Sequence, residues 1–257
     1  MSKFSKYLYA GCVYGFLYFP IAVVVFFSFN NAKRSLAWNG FTFKWYQVLF
    51  QNLELIQAIW HSLLLGLMAA TVATIIGTLI SISLFRYNFF GKKLVHGLIF
   101  VLILTPEIVM AVSLLLLYGF VKIPLGFWTL LFAHISLCVP FVTITIHSHI
   151  SMLDKYIFEA AIDLGAGDLT IINKIIIPML FPSILAGWLL SFTLSLDNII
   201  ISYFVSGPSF DILPLKIYSM VRLGVKPEVN ALCTLMLIFT LLTAVISHQI
   251  IFKRKAS

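Results

Sequence analysis

Residues 159–178 are the most informative part of the sequence and read EAAIDLGAGDLTIINKIIIP. The stretch around them holds four of the nine acidic residues of the chain, namely Asp154, Glu159, Asp163 and Asp168. Gly165 suits the left-handed residue that ends a helix, and Asp168 suits the N-cap of a following helix. Pro178 is expected to end that second helix. The pattern therefore predicts two short helices around a glycine turn.

One face of the first predicted helix is acidic and narrow. Glu159 and Asp163 are four positions apart and so share a face, while Ala160 and Ala161 keep the helix thin. Such a helix is suited to close contact with another protein. The alternative is an amphipathic helix lying on the membrane, which acidic charge beside an anionic leaflet disfavours.

The rest of the sequence is strongly apolar. Of its 257 residues 61% are hydrophobic and 10% are charged, which is more apolar surface than one soluble core can bury. A helix that crosses a membrane takes about 20 apolar residues, and six stretches qualify, at residues 8–29, 62–85, 94–121, 125–148, 179–204 and 231–252. The sequence predicts an all-α polytopic membrane protein with six transmembrane helices. We expect a single transmembrane domain over residues 1–257, with a cytoplasmic loop around residues 149–178 and an uncleaved first span.

Small residues recur at roughly every fourth position of the second stretch, at Gly66, Ala70, Ala73, Gly77 and Ser81. This spacing predicts close packing against another helix in lipid. Cys138 and Cys233 lie inside predicted spans and are expected to pack there.

Basic residues predict the orientation of the spans. They cluster at residues 86–93 and at Lys253, Arg254 and Lys255, which places these segments and both chain termini in the cytoplasm. Basic residues at the inner membrane surface also account for most of the net charge of +8. We therefore expect membrane lipid, and no nucleic acid, as the partner of this charge.

Two acidic residues, Glu107 and Asp197, fall inside predicted spans. Because a charge at the centre of a membrane helix costs roughly 2.5 to 3.5 kcal/mol on insertion scales, such residues are functional or paired by default. A pathway for a cationic solute is the favoured interpretation, with Ser195 and Asn198 in the same polar segment as Asp197. The alternative is a structural role for each acid, either protonated or bonded to a hydroxyl group on a neighbouring helix.

Trp45 falls near the predicted outer interface, where aromatic residues commonly form a belt. It is also a candidate for a cation–π contact with an amine. None of the six histidines is predicted to bind a metal or to act in catalysis. The sequence lacks a Gly-x4-Gly-Lys-Ser/Thr loop, so any nucleotide is expected on another polypeptide, and no cofactor is expected in this chain.

The acidic stretch resembles the EAA motif of ABC importer permeases of the MetI-like family. Glu159-Ala160-Ala161, Gly165, Ile175 and Ile177-Pro178 carry the resemblance, with Ile177 where that family prefers leucine. The resemblance implies a type I ABC importer permease fold, in which the short helix couples to an ATPase. It makes coupling residues of Glu159, Ala160, Ala161, Asp163, Gly165 and Pro178.

The resemblance also implies the partners. These are a cytoplasmic ATPase dimer that binds ATP and Mg, a second homologous permease subunit and a periplasmic solute-binding protein. The chain is then a transport subunit in the bacterial inner membrane and not an enzyme.

A closer resemblance, to the spermidine/putrescine branch of these permeases, covers nearly the whole chain. It is carried by residues 40–46, 105–111, 126–128, 187–198 and 207–219, and it implies a polyamine as solute and a polyamine-binding periplasmic partner. That branch often has two adjacent acids where this sequence has Asp197 followed by Asn198. The alternatives are the same machine for iron, thiamine or an anion, a secondary transporter or channel, and a membrane-embedded hydrolase. A secondary transporter would not need the acidic loop, and no Ser/His or His/Asp set converges as a hydrolase would require.

Overall fold

The computed structural model describes residues 3–32, 37–208, 210–222, 224 and 227–255. These residues form helices with short connections and one isolated antiparallel bridge between Asn30 and Phe41. The helices are α1 (Lys3–Phe27), α2 (Lys44–Gln51), α3 (Leu53–Arg86), α4 (Lys92–Leu104), α5 (Glu107–Val121), α6 (Phe127–Ile150), α7 (Lys155–Asp163), α8 (Asp168–Ile171), α9 (Ile177–Asp197), α10 (Ile200–Val205), α11 (Leu213–Arg222) and α12 (Pro227–Lys255). A π-helical turn, Ile172–Ile176, joins α8 to α9. The all-α prediction is confirmed.

Four helical segments are long and apolar enough to cross a membrane, namely Tyr7–Phe27, Leu53–Arg86, Phe127–Ile150 and Asp168–Asp197. They match the first, second, fourth and fifth predicted spans. The number rises to five if α4 and α5 together count as one bent span. The apolar part of α12 within the fully described residues, Pro227–Leu242, is shorter. Six transmembrane helices therefore remain a prediction, as does the orientation, because the side chains of Lys253, Arg254 and Lys255 lie outside the described residues.

The third predicted span is not a continuous helix. Its two halves, α4 and α5, are bent by 110° where Thr105 and Pro106 join them. Thr105 is extended, with ψ at 126°, because a residue before proline is pushed away from the helical region. The break makes Glu107 the first residue of α5 and not a mid-helix residue, which corrects the sequence interpretation.

The fifth predicted span also ends early. The α9 helix stops at Asp197, Asn198 is extended with ψ at 104°, and α10 starts only at Ile200. Asp197 therefore lies in the last turn of a helix that the sequence had predicted to continue to residue 204. Both predicted intramembrane acids thus lie at helix ends.

The described helices divide into two compact units. The first consists of Met1–Gln57 with Lys216–Ser257, where α12 packs against α1 and α2. In the connection between α1 and α2, the side chain of Asn30 is hydrogen-bonded to the backbone. Its Oδ1 accepts from the Asn39 amide at 2.9 Å. Its Nδ2 donates to the Ala37 carbonyl at 2.7 Å.

The second unit, Ala58–Leu215, is built around α6. Of the residues in the apolar window of α6, 61% are buried, against 39% in that of α3 and 33% in that of Asp168–Asp197. The small face predicted for α3 is confirmed: a Cβ atom on Gly77 would lie only 2.7 Å from Cγ1 of Val142 on α6. Ser81 donates to the Thr143 carbonyl at 2.8 Å on the same face. This unit holds both the acidic loop, residues 149–178, and the polar residues Glu107, Asp197 and Asn198.

Candidate functional site

The acidic loop, residues 149–178, forms the predicted helix, glycine turn and second helix. Asp154 caps the start of α7 by accepting from the Tyr156 amide at 3.0 Å. At the other end Gly165 has φ of 79°, and its amide donates to the Ile162 carbonyl at 2.8 Å. Ala166 donates to Ala161 at 3.0 Å, which completes a Schellman motif. The left-handed conformation predicted for Gly165 is confirmed.

The exposed face of α7 contains the residues predicted for it except Ala161. Glu159, Ala160 and Asp163 are exposed, as a docking face would require. Ala161 is instead buried beside Phe158 in the core of its own unit. The reason is that Ala160 and Ala161 are successive residues, which on a helix point in directions roughly 100° apart.

Asp168 and Pro178 do not act as the sequence interpretation expected. Gly167 is the N-cap of α8, and the carboxylate of Asp168 pairs with the Arg86 guanidinium at the end of α3. The Tyr87 hydroxyl also donates to Asp168, at 3.4 Å. Pro178 lies in the first turn of α9, where its missing N–H is tolerated, so the helix continues through it.

An open cleft lies between the end of α3 and the acidic loop. It is lined by Phe85, Arg86, Tyr87, Phe158, Glu159, Ile162, Asp168 and Ile176. From the sequence, Arg86 was predicted only to belong to the cytoplasmic basic cluster at residues 86–93, and no role was predicted for Tyr87. Because Arg86 and Asp168 are 82 positions apart, no local signal predicts their contact.

The second group of polar residues lies at two helix breaks, one between α4 and α5 and the other between α9 and α10. The Asn198 side-chain amide donates to Oε2 of Glu107 at 3.1 Å, which brings together two residues of the predicted pathway. Oδ1 of Asn198 accepts from the amide of Ile201, in the first turn of α10, at 2.9 Å. Asn198 is buried, whereas Glu107 and the neighbouring Asp197 are exposed.

Ser195 is buried and points to a residue that the sequence interpretation left without a role. Its Oγ lies 2.7 Å from Nδ1 of His134, a fully buried histidine of α6. The other ring nitrogen of His134 lies 3.0 Å from Oγ of Ser202. A histidine inside a predicted apolar span was the available signal, but its partners are 61 and 68 positions away.

Trp45 belongs to the first unit, whereas the other four predicted pathway residues belong to the second. Its Nε1 donates to the Asn30 carbonyl at 2.7 Å, and the Lys44 ammonium lies 5.9 Å from the ring centroid. The indole is therefore engaged within its own unit. Among the described residues no group of three or more His, Cys, Asp or Glu side chains is placed to hold a metal.

A comparison with protein families identifies the chain. It belongs to the family of inner membrane components of binding-protein-dependent transport systems, whose family model matches residues 62–256. The protein is thus a transport permease, and the family resemblance of residues 159–178 is confirmed.

Several relatives match nearly the whole chain. The spermidine/putrescine transport system permease protein PotC of Escherichia coli strain K12 is 50% identical over 243 residues, which cover 95% of this chain and 92% of the relative. The protein of the same name from Haemophilus influenzae is 51% identical over 238 residues, which cover 93% of each chain.

A solved structure shares the fold. A chain of a bacterial ABC transporter involved in the import of the acidic polysaccharide alginate matches with a TM-score of 0.74. The match covers 96% of this chain and 95% of that chain at 16% sequence identity, so it shows the fold alone. The fold predicted from the sequence, that of the type I ABC importer permeases, is the fold of this neighbour.

Proposed function

We propose that this permease carries polyamines, such as spermidine and putrescine, across the bacterial inner membrane. The names of relatives that are about half identical to it support this solute class. The observation that carries the proposal is the polar junction formed by Glu107, Asp197 and Asn198 at two helix breaks. The carboxylates of Glu107 and Asp197 are both exposed. Asn198 donates a hydrogen bond to Glu107 and directly follows Asp197 in sequence.

The positions of the two carboxylates favour a cation. Asp197 lies in the last turn of α9, where the unpaired carbonyl groups of a helix already carry partial negative charge. An ammonium group at this end is attracted by the carboxylate and by the helix together. Glu107 is the first residue of α5 and accepts a hydrogen bond from Asn198 at the same junction.

Ser195 and Trp45 are two further residues proposed for the pathway, each supported by contacts within its own unit. Ser195 is two residues before Asp197 and helps to hold this end of α9 through His134. Trp45 contributes an aromatic face that already lies near an ammonium group, that of Lys44. Both are proposed as pathway residues on these grounds.

The proposed assembly has four kinds of chain. A cytoplasmic ATPase dimer binds ATP and Mg, a second homologous permease subunit completes the membrane part, and a periplasmic polyamine-binding protein delivers the solute. Glu159, Ala160 and Asp163 form the exposed docking face for the ATPase, while Ala161, Gly165 and Pro178 fix the shape of the loop that carries this face. Six membrane spans, with both termini in the cytoplasm, place the loop on the ATPase side.

Uptake by the complete transporter in proteoliposomes tests the proposal. Labelled spermidine and putrescine should enter in an ATP-dependent manner when the binding protein is present. An anion, thiamine and ferric iron, offered with the same components, should not compete. ATP-dependent uptake of one of these competitors without polyamine uptake would overturn the assignment.

A further inference from the structure

His134 of α6 is a fully buried ionisable side chain in the second unit, and it contacts two other helices. From α6 it reaches Ser195 on α9 at 2.7 Å and Ser202 on α10 at 3.0 Å. The two serines stand on either side of the break at Asn198. His134 therefore bridges the corner that the chain makes between α9 and α10.

The direction of each hydrogen bond in this group follows from one contact. The Ser202 hydroxyl donates to the Asn198 carbonyl at 2.7 Å, so its proton is not available to His134. Nε2 of His134 must then carry a proton and donate to Oγ of Ser202. In the neutral ring Nδ1 is an acceptor, and it receives the hydroxyl proton of Ser195. This neutral tautomer satisfies both ring nitrogens.

The chain of bonds continues from Ser202 to Glu107. Asn198 is held by its carbonyl group, which accepts from Ser202, and by Oδ1, which accepts from the Ile201 amide. With both oxygens fixed, the side-chain NH₂ group points to Glu107, 3.1 Å away. The position of an exposed carboxylate thus depends on a buried imidazole that does not touch it.

We propose that His134 is a positioning residue for the solute pathway: as the Nε2-protonated ring it holds the corner at Asn198, and through Asn198 it holds the carboxylate of Glu107. The inference rests on the proposed function, in which Glu107 faces the solute. Removal of the ring takes away the N–H group that donates to Ser202 Oγ, so the Ser202 hydroxyl is held in place against the Asn198 carbonyl by one contact instead of two. Glu107 then loses its fixed partner.

The test compares four forms of the complete transporter: wild type, His134→Leu, Glu107→Gln and the double variant. His134→Leu should raise the apparent KM for spermidine severalfold and up to about tenfold, the equivalent of about 1.4 kcal/mol. The double variant should be no worse than Glu107→Gln alone, because both changes act on the same carboxylate. Additive effects would overturn the proposal. Thr143→Val is the matched control, since it removes another buried hydrogen bond of α6 and should leave the KM unchanged.

A second measurement does not depend on transport. Labelling of Glu107 with a water-soluble carbodiimide, followed by mass spectrometry, should be faster in His134→Leu than in wild type and unchanged in Thr143→Val. Equal labelling in all three forms overturns the role of His134. Wild-type uptake by Glu107→Gln overturns the pathway role of Glu107 instead, so the two failures are distinguishable. If His134→Leu does not assemble, Ser202→Ala breaks the same chain of bonds with a smaller change in volume, and the same results are expected.

Discussion

The side-chain amide of Asn198 donates a hydrogen bond of 3.1 Å to the carboxylate of Glu107, a residue 91 positions earlier in the chain. The bond ties the break between α9 and α10 to the break between α4 and α5. It also means that one of the two exposed carboxylates at this junction already has a donor. An aspartate at position 198 could not provide that donor, because an ionised carboxylate only accepts.

Asn198→Asp is therefore expected to change the preference among amines. The new side chain keeps the oxygen that accepts from the Ile201 amide but loses the bond to Glu107 and adds a negative charge. Spermidine carries one more ammonium group than putrescine, so the ratio of spermidine to putrescine uptake should rise. Initial uptake rates of both amines measure it. Asn198→Ala removes the bond without adding charge and should not raise the ratio; an equal rise in both variants would contradict the charge argument.

Gly165→Val is expected to uncouple the ATPase. The valine would have to adopt the φ of 79° found at Gly165, which costs a residue with a Cβ atom roughly 1 to 2 kcal/mol and distorts the end of α7. The variant should insert normally but hydrolyse ATP without matching uptake, or lose the ATPase on purification. Gly167→Val is the matched control, because Gly167 has φ of −70° and ψ of 159°, which suit a β-branched residue. Similar behaviour of both variants would remove the conformational explanation.

Arg86→Gln should weaken the attachment of the acidic loop to the end of α3. Arg86 is 13% exposed and its partner Asp168 is 61% exposed, so the pair is expected to contribute on the order of 1 kcal/mol or less. We expect a partial loss of coupled transport, measured as the number of ATP molecules hydrolysed per polyamine imported. The double variant Arg86→Asp with Asp168→Arg should recover part of it. Lys93→Gln removes a positive charge from the start of α4 and serves as control; no recovery in the swapped pair would contradict the role of the Arg86–Asp168 contact.

Reporter fusions test the membrane topology and the bent segment together. Fusions after Lys93, after Asp168 and at the C-terminus should read cytoplasmic, and fusions at Asn39 and Gly224 should read periplasmic. A fusion after Ile123 decides whether α4 and α5 form one bent span, because a span places this residue in the periplasm. If it reads cytoplasmic, the pair re-enters on one side and the six-span topology is wrong.

Features that depend on neighbouring residues were predictable from the sequence. The turn at Gly165 follows from a glycine at the end of an apolar and acidic helix, and the packing face of α3 follows from the spacing of small residues such as Gly77. Both depend on backbone geometry and side-chain size within a few turns. The family motif at residues 159–178 is also a local feature, and it was sufficient to predict the fold.

Features that depend on contacts between distant segments were not predictable. Pro106 signals a disturbed helix, but whether the chain kinks or turns through 110° depends on what packs around it. Asp168 has the right position for an N-cap, yet its carboxylate pairs with Arg86 because α3 ends beside it. His134 is a single histidine in an apolar stretch, and only the fold supplies its two serines.

The most direct test of the account is the uptake of spermidine by the complete transporter with Asp197→Asn. The amide keeps the shape of the side chain but removes the charge at the end of α9. Assembly with the ATPase and ATP hydrolysis should remain normal, while uptake should fall by roughly tenfold or more, since each 1.4 kcal/mol lost in the barrier for passage slows the rate about tenfold. Glu107→Gln should lower uptake less, because the Asn198 amide already engages that carboxylate. Wild-type spermidine uptake by a fully assembled Asp197→Asn transporter would contradict the claim that a cationic solute passes this carboxylate.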